Sequence, residues 1–451
     1  MSTLADSTNR PRLIIKRPGA IIQLYIILFS ILPGAVGAIS IGGKTPNVFW
    51  VDITIACFGA YMLLSWSQAK RSLPMRFPTA LLWAIVYVAV AAASIPVAAD
   101  KNYSIAVLKL RIMPLVVFMI AYHIMRGRRW SAHLMNALVV FGGCLALMTL
   151  RNWSLYRSGA LVLQQGFGGK DMAQVSWAIS NTLAGIFALL IPLAFSTITV
   201  NRRLMLAVNL VCLGAMMTAI AATMSRGGIA SLGLGMVVWI MMSLSIRWTR
   251  TGPRIRGLKA FSKGILVLVG VICLVTALLP RSLFDVLGSR YAVLGQLASS
   301  DMTSDDRVAR WVIGLEHVRE HPIVGIGLGN QWSMRQRLGM EGSTHNLYLE
   351  TLIESGLIGF VPMMGFLAGF GLMIYRWWKF AGDHGERMLA AGAMGALAAG
   401  LVNSFEEPLF WSAQYACIFW MLMAVSCAAV TSRGLSAYEA RRQASEEGVD
   451  A

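Results

Sequence analysis

Two short segments hold most of the groups in this chain that could do chemistry. Ser225-Arg226-Gly227-Gly228 stands where one long apolar block gives way to the next. Gly325-Ile326-Gly327-Leu328-Gly329-Asn330 is followed, after a short gap, by His345-Asn346-Leu347-Tyr348-Leu349-Glu350. Arginine presents a permanently charged fork of donors that matches phosphate oxygens. The two glycines after Arg226 allow a tight turn and close approach of a ligand to the backbone. Free amides at the start of a helix there would add anion affinity. Histidine can take a proton from a hydroxyl at neutral pH or hold that hydroxyl in place. The pattern points to an anion held by arginine and a hydroxyl handled by His345.

Further cations surround this pair. Ser304 to His321-Pro322 reads as a capped helix. Arg307 and Arg310 project from neighbouring faces of it, and Trp311, Leu315 and Val318 form an apolar stripe. Lys109 and Arg111 fall inside an apolar block, about 10 Å from its start at 1.5 Å per residue. Cations at that depth need water or anionic partners, so they are candidates for phosphate contact. Asn346, next to His345, is a supporting candidate. No Asp-x-Asp pair is present, and Asp305 and Asp306 diverge on a helix. Magnesium favours clustered carboxylates, so a reaction without metal or cofactor is expected. No phosphate-binding Walker loop occurs, and the energy must come from an activated substrate.

The elements that must position these residues are membrane helices. Hydrophobic residues make up 57% of the 451 positions and charged residues 13%, against about 25% charge in a soluble domain. Apolar blocks of the length that crosses a bilayer recur along the chain. The expected fold is all-α and polytopic, with about twelve spans near 20–39, 49–65, 78–97, 104–124, 131–150, 175–198, 204–224, 227–246, 264–280, 346–374, 388–404 and 408–430. That divides the chain into a tail at 1–19, nine spans over 20–280, a loop domain at 281–345, three spans over 346–430 and a tail at 431–451.

The net charge of +18 reads as orientation rather than nucleic-acid binding. Of the 39 Lys and Arg residues, 24 fall in the two tails and in alternate loops. The positive-inside rule places that face, and both termini, in the cytoplasm. In a bacterium, the long loop, Arg226 and His345 would then face the periplasm from the inner membrane. All six cysteines lie in apolar blocks, with neither zinc spacing nor a disulfide framework.

Several motifs together resemble the O-antigen ligase and polymerase-like superfamily: Arg307-Val-Ala-Arg310-Trp311, His321-Pro322 with the glycines 325, 327 and 329, His345-Asn346-Leu347-Tyr348-Leu349, Glu354-Ser-Gly356 and Ser225-Arg226-Gly227-Gly228. The resemblance implies a GT-C-type glycosyltransferase that moves a glycan from undecaprenyl diphosphate to an acceptor at the periplasmic face. For a ligase the acceptor is lipid A–core. It also implies that Arg226 and Arg307 or Arg310 are essential arginines, that His345 is the essential histidine, and that Glu406 or Glu407 supplies an acidic residue. Gly168-Gly169-Lys170-Asp171 departs from the asparagine-containing segment the family often shows before the sixth span. An O-antigen polymerase, a protein O-oligosaccharyltransferase and, from another class, a lipid-linked-oligosaccharide flippase are the alternatives.

Overall fold

The computed structural model describes residues 20–33, 35–38, 47–68, 78–125, 131–158, 175, 178–248, 303–330 and 343–447. The expected span at 264–280, Lys170, Cys273, the tail at 1–19 and parts of the long loop lie outside the described residues. The chain is almost entirely helical. In order come α1 (Ala20–Phe29), α2 (Trp50–Gln68), α3 (Thr79–Ala93), α4 (Lys101–Met125), α5 (Ser131–Arg157), α6 (Ser180–Val200), α7 (Arg203–Thr223) and α8 (Arg226–Trp248). Then follow α9 (Thr303–Glu320), α10 (Leu347–Phe380), α11 (His384–Asn403) and α12 (Ala413–Glu447). One small antiparallel ribbon, β1 (Ala35–Ala38) with β2 (Asn47–Phe49), joins α1 to α2.

Among the described residues, eight helices are long and apolar enough to cross a membrane, fewer than the twelve spans expected. They are α3 with its following turn, α4 to α8, α10 and the first half of α12. α2 contributes a shorter apolar stretch, Trp50–Leu64. α11 falls outside this set because it is built of alanine and glycine, and it packs against α8, α6 and α10 rather than toward lipid. A helix enclosed by other helices needs small residues for close approach more than it needs hydropathy. Gly235 of α8 and Gly395 of α11 show this: a Cβ on either would come within 2.8 Å of the other's carbonyl oxygen. These glycines therefore serve packing within the chain. α6 and α12 are the inner helices, with 83% and 89% of their apolar windows buried against 22% for α8. Phe118, Phe366, Phe370 and Trp420 knit α4, α10 and α12 together with ring centroids 5.5–6.1 Å apart.

The tenth expected span is not one continuous helix. At Gly356 the backbone turns to φ 58°, ψ −161° and breaks α10 into Leu347–Ser355 and the longer part that follows. The glycine-rich loop after α9 fills the break. Ile326 N–H donates to Ile353 O (2.8 Å) and Gly327 N–H to Glu354 O (3.0 Å). In return Leu357 N–H reaches Pro322 O (2.9 Å) and Ile358 N–H reaches Ile323 O (3.2 Å). The loop thus supplies partners for the backbone groups that the break frees, as a bilayer-embedded chain requires. This is a structural role for a motif that could be read as ligand-binding. At Gly325, with φ +72°, an added Cβ would lie 2.6 Å from Ile353 O. Left-handed strain and the clash together are expected to destabilise Gly325→Ala by about 1–3 kcal/mol. A thermal melt in detergent that matched the wild type would show that this packing adds nothing to stability.

Candidate functional site

Sequence features at a helix start place the first candidate. α7 ends at Met224 in the left-handed conformation (φ 53°) and α8 begins immediately. Ser225 caps α8, its Oγ accepting from Gly228 N–H at 3.2 Å. Arg226 therefore opens the eighth helix rather than ending the seventh. Its side chain is exposed and has no hydrogen-bond or ion-pair partner among the described residues. The two glycines that follow are sites of close approach. A Cβ on Gly228 would sit 2.3 Å from Ala184 Cβ of α6. One on Gly227 would overlap the Glu406 carboxylate, 1.5 Å from Oε2.

His345 lies just ahead of α10 with φ 52°, an uncommon backbone state for a residue with a side chain. Neighbouring groups hold it there. Its N–H donates to Ser343 Oγ (3.0 Å), and that hydroxyl donates to the buried Glu350 carboxylate (3.2 Å). From behind, α9 donates twice to the same strand of loop: Arg310 Nη1 to Ser343 O (3.1 Å) and Trp311 Nε1 to Thr344 O (3.0 Å). In front, Leu347 N–H donates to Ser404 O (2.8 Å), tying the loop to the end of α11.

The imidazole meets an acid. His345 Nδ1 lies 3.2 Å from Glu407 Oε1, with side-chain exposures of 31% and 10%. A carboxylate can only accept, so this contact favours a proton on Nδ1, and in the neutral ring that leaves Nε2 as the acceptor nitrogen. Asn181, in the first turn of α6, donates through Nδ2 to the same Oε1 at 3.0 Å. Consecutive residues thus link the two motifs: Glu406 lies against Gly227 beside Arg226, while Glu407 holds His345. The starts of α6 and α8, the end of α11 and the loop before α10 meet at one end of the bundle.

Other candidates are placed differently. Lys109 is ion-paired to Asp52 of α2 at 2.6 Å. Arg111 is paired to Glu354 at 3.0 Å, both side chains at most 2% exposed, and Gly329 N–H donates to the other oxygen of Glu354. Asp52 and Glu354 meet these cations in the structure, and Arg111 anchors the loop that fills the helix break. Asn346 is the N-cap of α10, its Oδ1 accepting from Tyr348 and Leu349 N–H. Arg307 lies in α9, and its side chain is outside the described residues. Arg310 bonds the His345 loop directly.

Asn181 and Ser343 were not singled out from sequence, and Glu350 was quoted only as the end of the His345 segment, with no role given to it. His317 on α9 and His321 just past its end stand four residues apart in the long loop, where no His-x-x-x-His pair was expected. They line a separate cavity of about 540 Å³ with Glu320, Val97 and the 324–326 loop. His317 Nδ1 stands 3.7 Å from Glu320 Oε2. Among the described residues, no three His, Cys, Asp or Glu side chains form a metal-ligand group.

Fold and site together define a multi-pass α-helical membrane protein with a polar site at one end of its bundle. Residues 210–364 match the family model described as O-antigen ligase, which supports membership in the O-antigen ligase and polymerase superfamily. The matched stretch contains Arg226, Arg307, Arg310 and His345, whereas Asn181, Glu406 and Glu407 lie outside it. No curated protein matches the chain.

Proposed function

We propose that this protein is an O-antigen ligase of the bacterial inner membrane. It transfers a glycan from undecaprenyl diphosphate to lipid A–core at the periplasmic face. The observation that carries the reading is the Glu407-oriented imidazole of His345, with Glu406 packed against Gly227 next to an exposed arginine at the start of α8. It lies partly within a segment that matches the O-antigen ligase model.

In this reading Arg226 holds the donor diphosphate, with the arginines of α9 as further contacts, and the α8 amides add their dipole. His345 Nε2 takes the proton of the acceptor hydroxyl. The acceptor oxygen attacks the anomeric carbon, and the bond from that carbon to the phosphate oxygen breaks. Undecaprenyl diphosphate leaves with the electron pair, stabilised by the arginine charge. One displacement inverts the anomeric configuration. No step requires a metal.

Proteoliposomes with purified lipid-linked glycan donor and purified lipid A–core test the reaction, with EDTA in excess. Transfer of the glycan to core without growth of the donor glycan supports the ligase. Growth of the donor glycan, or transfer only to protein, replaces it with a polymerase or a protein modifier. Movement of the donor between leaflets without any new glycosidic bond selects a flippase. Loss of transfer with EDTA, restored by magnesium, would refute the metal-free step.

Orientation has its own check. In a cysteine-free background, Glu320→Cys is expected to react with an impermeant thiol reagent in spheroplasts, and Gly382→Cys only after permeabilisation. The reverse pattern would move the site to the cytoplasm.

A further inference from the structure

We propose that Asn181 is a positioning residue that holds Glu407 in register with His345 and so sets which imidazole nitrogen meets the acceptor. The proposal rests on the ligase reading and deepens it. Its basis is a single oxygen. Glu407 Oε1 accepts from Asn181 Nδ2 at 3.0 Å and from His345 Nδ1 at 3.2 Å. These three residues come from three separate parts of the fold: the first turn of α6, the loop before α10 and the turn after α11. Glu407 is nearly buried, so solvent contributes little to fixing its carboxylate. The amide supplies a directed donor, and α6 presents the positive end of its dipole to the same oxygen.

A free carboxylate can turn about its last torsion, which is broad and roughly twofold. Held by Asn181, Oε1 stays where Nδ1–H can reach it. The imidazole then keeps Nε2 unprotonated and pointed away from Glu407. Asn181 touches neither glycan nor diphosphate in this arrangement. Its loss is expected to act on turnover and leave donor recognition alone.

Two variants separate this role from a general defect in packing. Asn181→Leu removes the donor at similar size. Its kcat is expected to fall about 10-fold, the scale of a hydrogen bond to a charged group, with the donor KM unchanged. Asn181→Asp has the same shape and suits the first turn of a helix, where an acidic side chain is favoured. It adds a negative charge beside Glu407, which stabilises the protonated imidazole. The acidic limb of its kcat profile is expected to move to higher pH.

The readout is the pH dependence of kcat and the donor KM in proteoliposomes. Wild-type kcat in both variants overturns the proposal. So does a fall in kcat with an unmoved acidic limb in Asn181→Asp, because a packing defect would give that result. Failure of the ligase reading looks different: the wild type would transfer no glycan to lipid A–core, whereas full transfer by His345→Ala would take the imidazole out of the reaction and overturn this proposal with it.

Discussion

Arg226→Ala is expected to reduce glycan transfer by about 10²–10³-fold, the loss seen when one preorganised charge-stabilising donor is removed from a transition state. The side chain is exposed at the first position of α8 and has no protein partner among the described residues. Its removal therefore leaves no buried acid unpaired, and the fold should survive. Arg111 offers the contrast. Arg111→Ala strands Glu354 in a nearly solvent-free pocket, and its expected effect is on stability. Arg226→Lys tests geometry. A guanidinium fork binds two phosphate oxygens at once, and an ammonium is a point charge. The Lys variant is expected to recover little activity and to show weaker donor binding. Full recovery would reduce the role of Arg226 to attraction of an anion to the site. Both readings are separated by titrating labelled undecaprenyl-diphosphate glycan against the purified variants alongside the transfer rate.

His345→Ala is expected to divide the two halves of the reaction. Turnover should fall by about 10²–10⁴-fold, the usual contribution of a general base, while labelled donor still binds. The split follows from the contacts: Glu407 holds the imidazole, while its neighbour Glu406 packs against Gly227, the residue after Arg226. Glu407→Gln should lower turnover as well, because an amide can present either a donor or an acceptor to Nδ1 and no longer selects one tautomer. Collapse of donor binding in His345→Ala to the level of Arg226→Ala would place His345 in the donor site and end its assignment to the acceptor.

Gly227 shows why sequence spacing alone stops short of a site. Arg226, the two glycines after it and His345 are legible as a sequence because each is costly in a membrane protein: a charge, a flexible backbone, a titratable ring. Glu406 and Glu407 were legible only as an adjacent acidic pair. Folding assigns them opposite tasks, one against Gly227 and one against His345, since neighbouring side chains on a turn point in different directions. Asn181 was not legible at all. It is one polar residue at the start of an apolar helix, and its partner is 226 positions away in the chain.

Composition and periodicity by themselves determined the class of this protein. Long apolar blocks in water-poor surroundings must close their own backbone hydrogen bonds, and helices are the form in which a single segment can do so. Capping and breaker residues anticipated the helix α9, and charge alternation set Arg226 and His345 on one face. Tertiary structure alone decided which charges are available. Lys109, Arg111 and Arg226 look alike along the chain, yet two are held by Asp52 and Glu354 and one is exposed. It also decided that α10 breaks at Gly356 and that the glycine-rich loop fills the gap. Both outcomes depend on partners far apart in sequence. An ion pair or an inserted loop is stabilised by desolvation and geometry at the point of contact, and neither is written in local propensity.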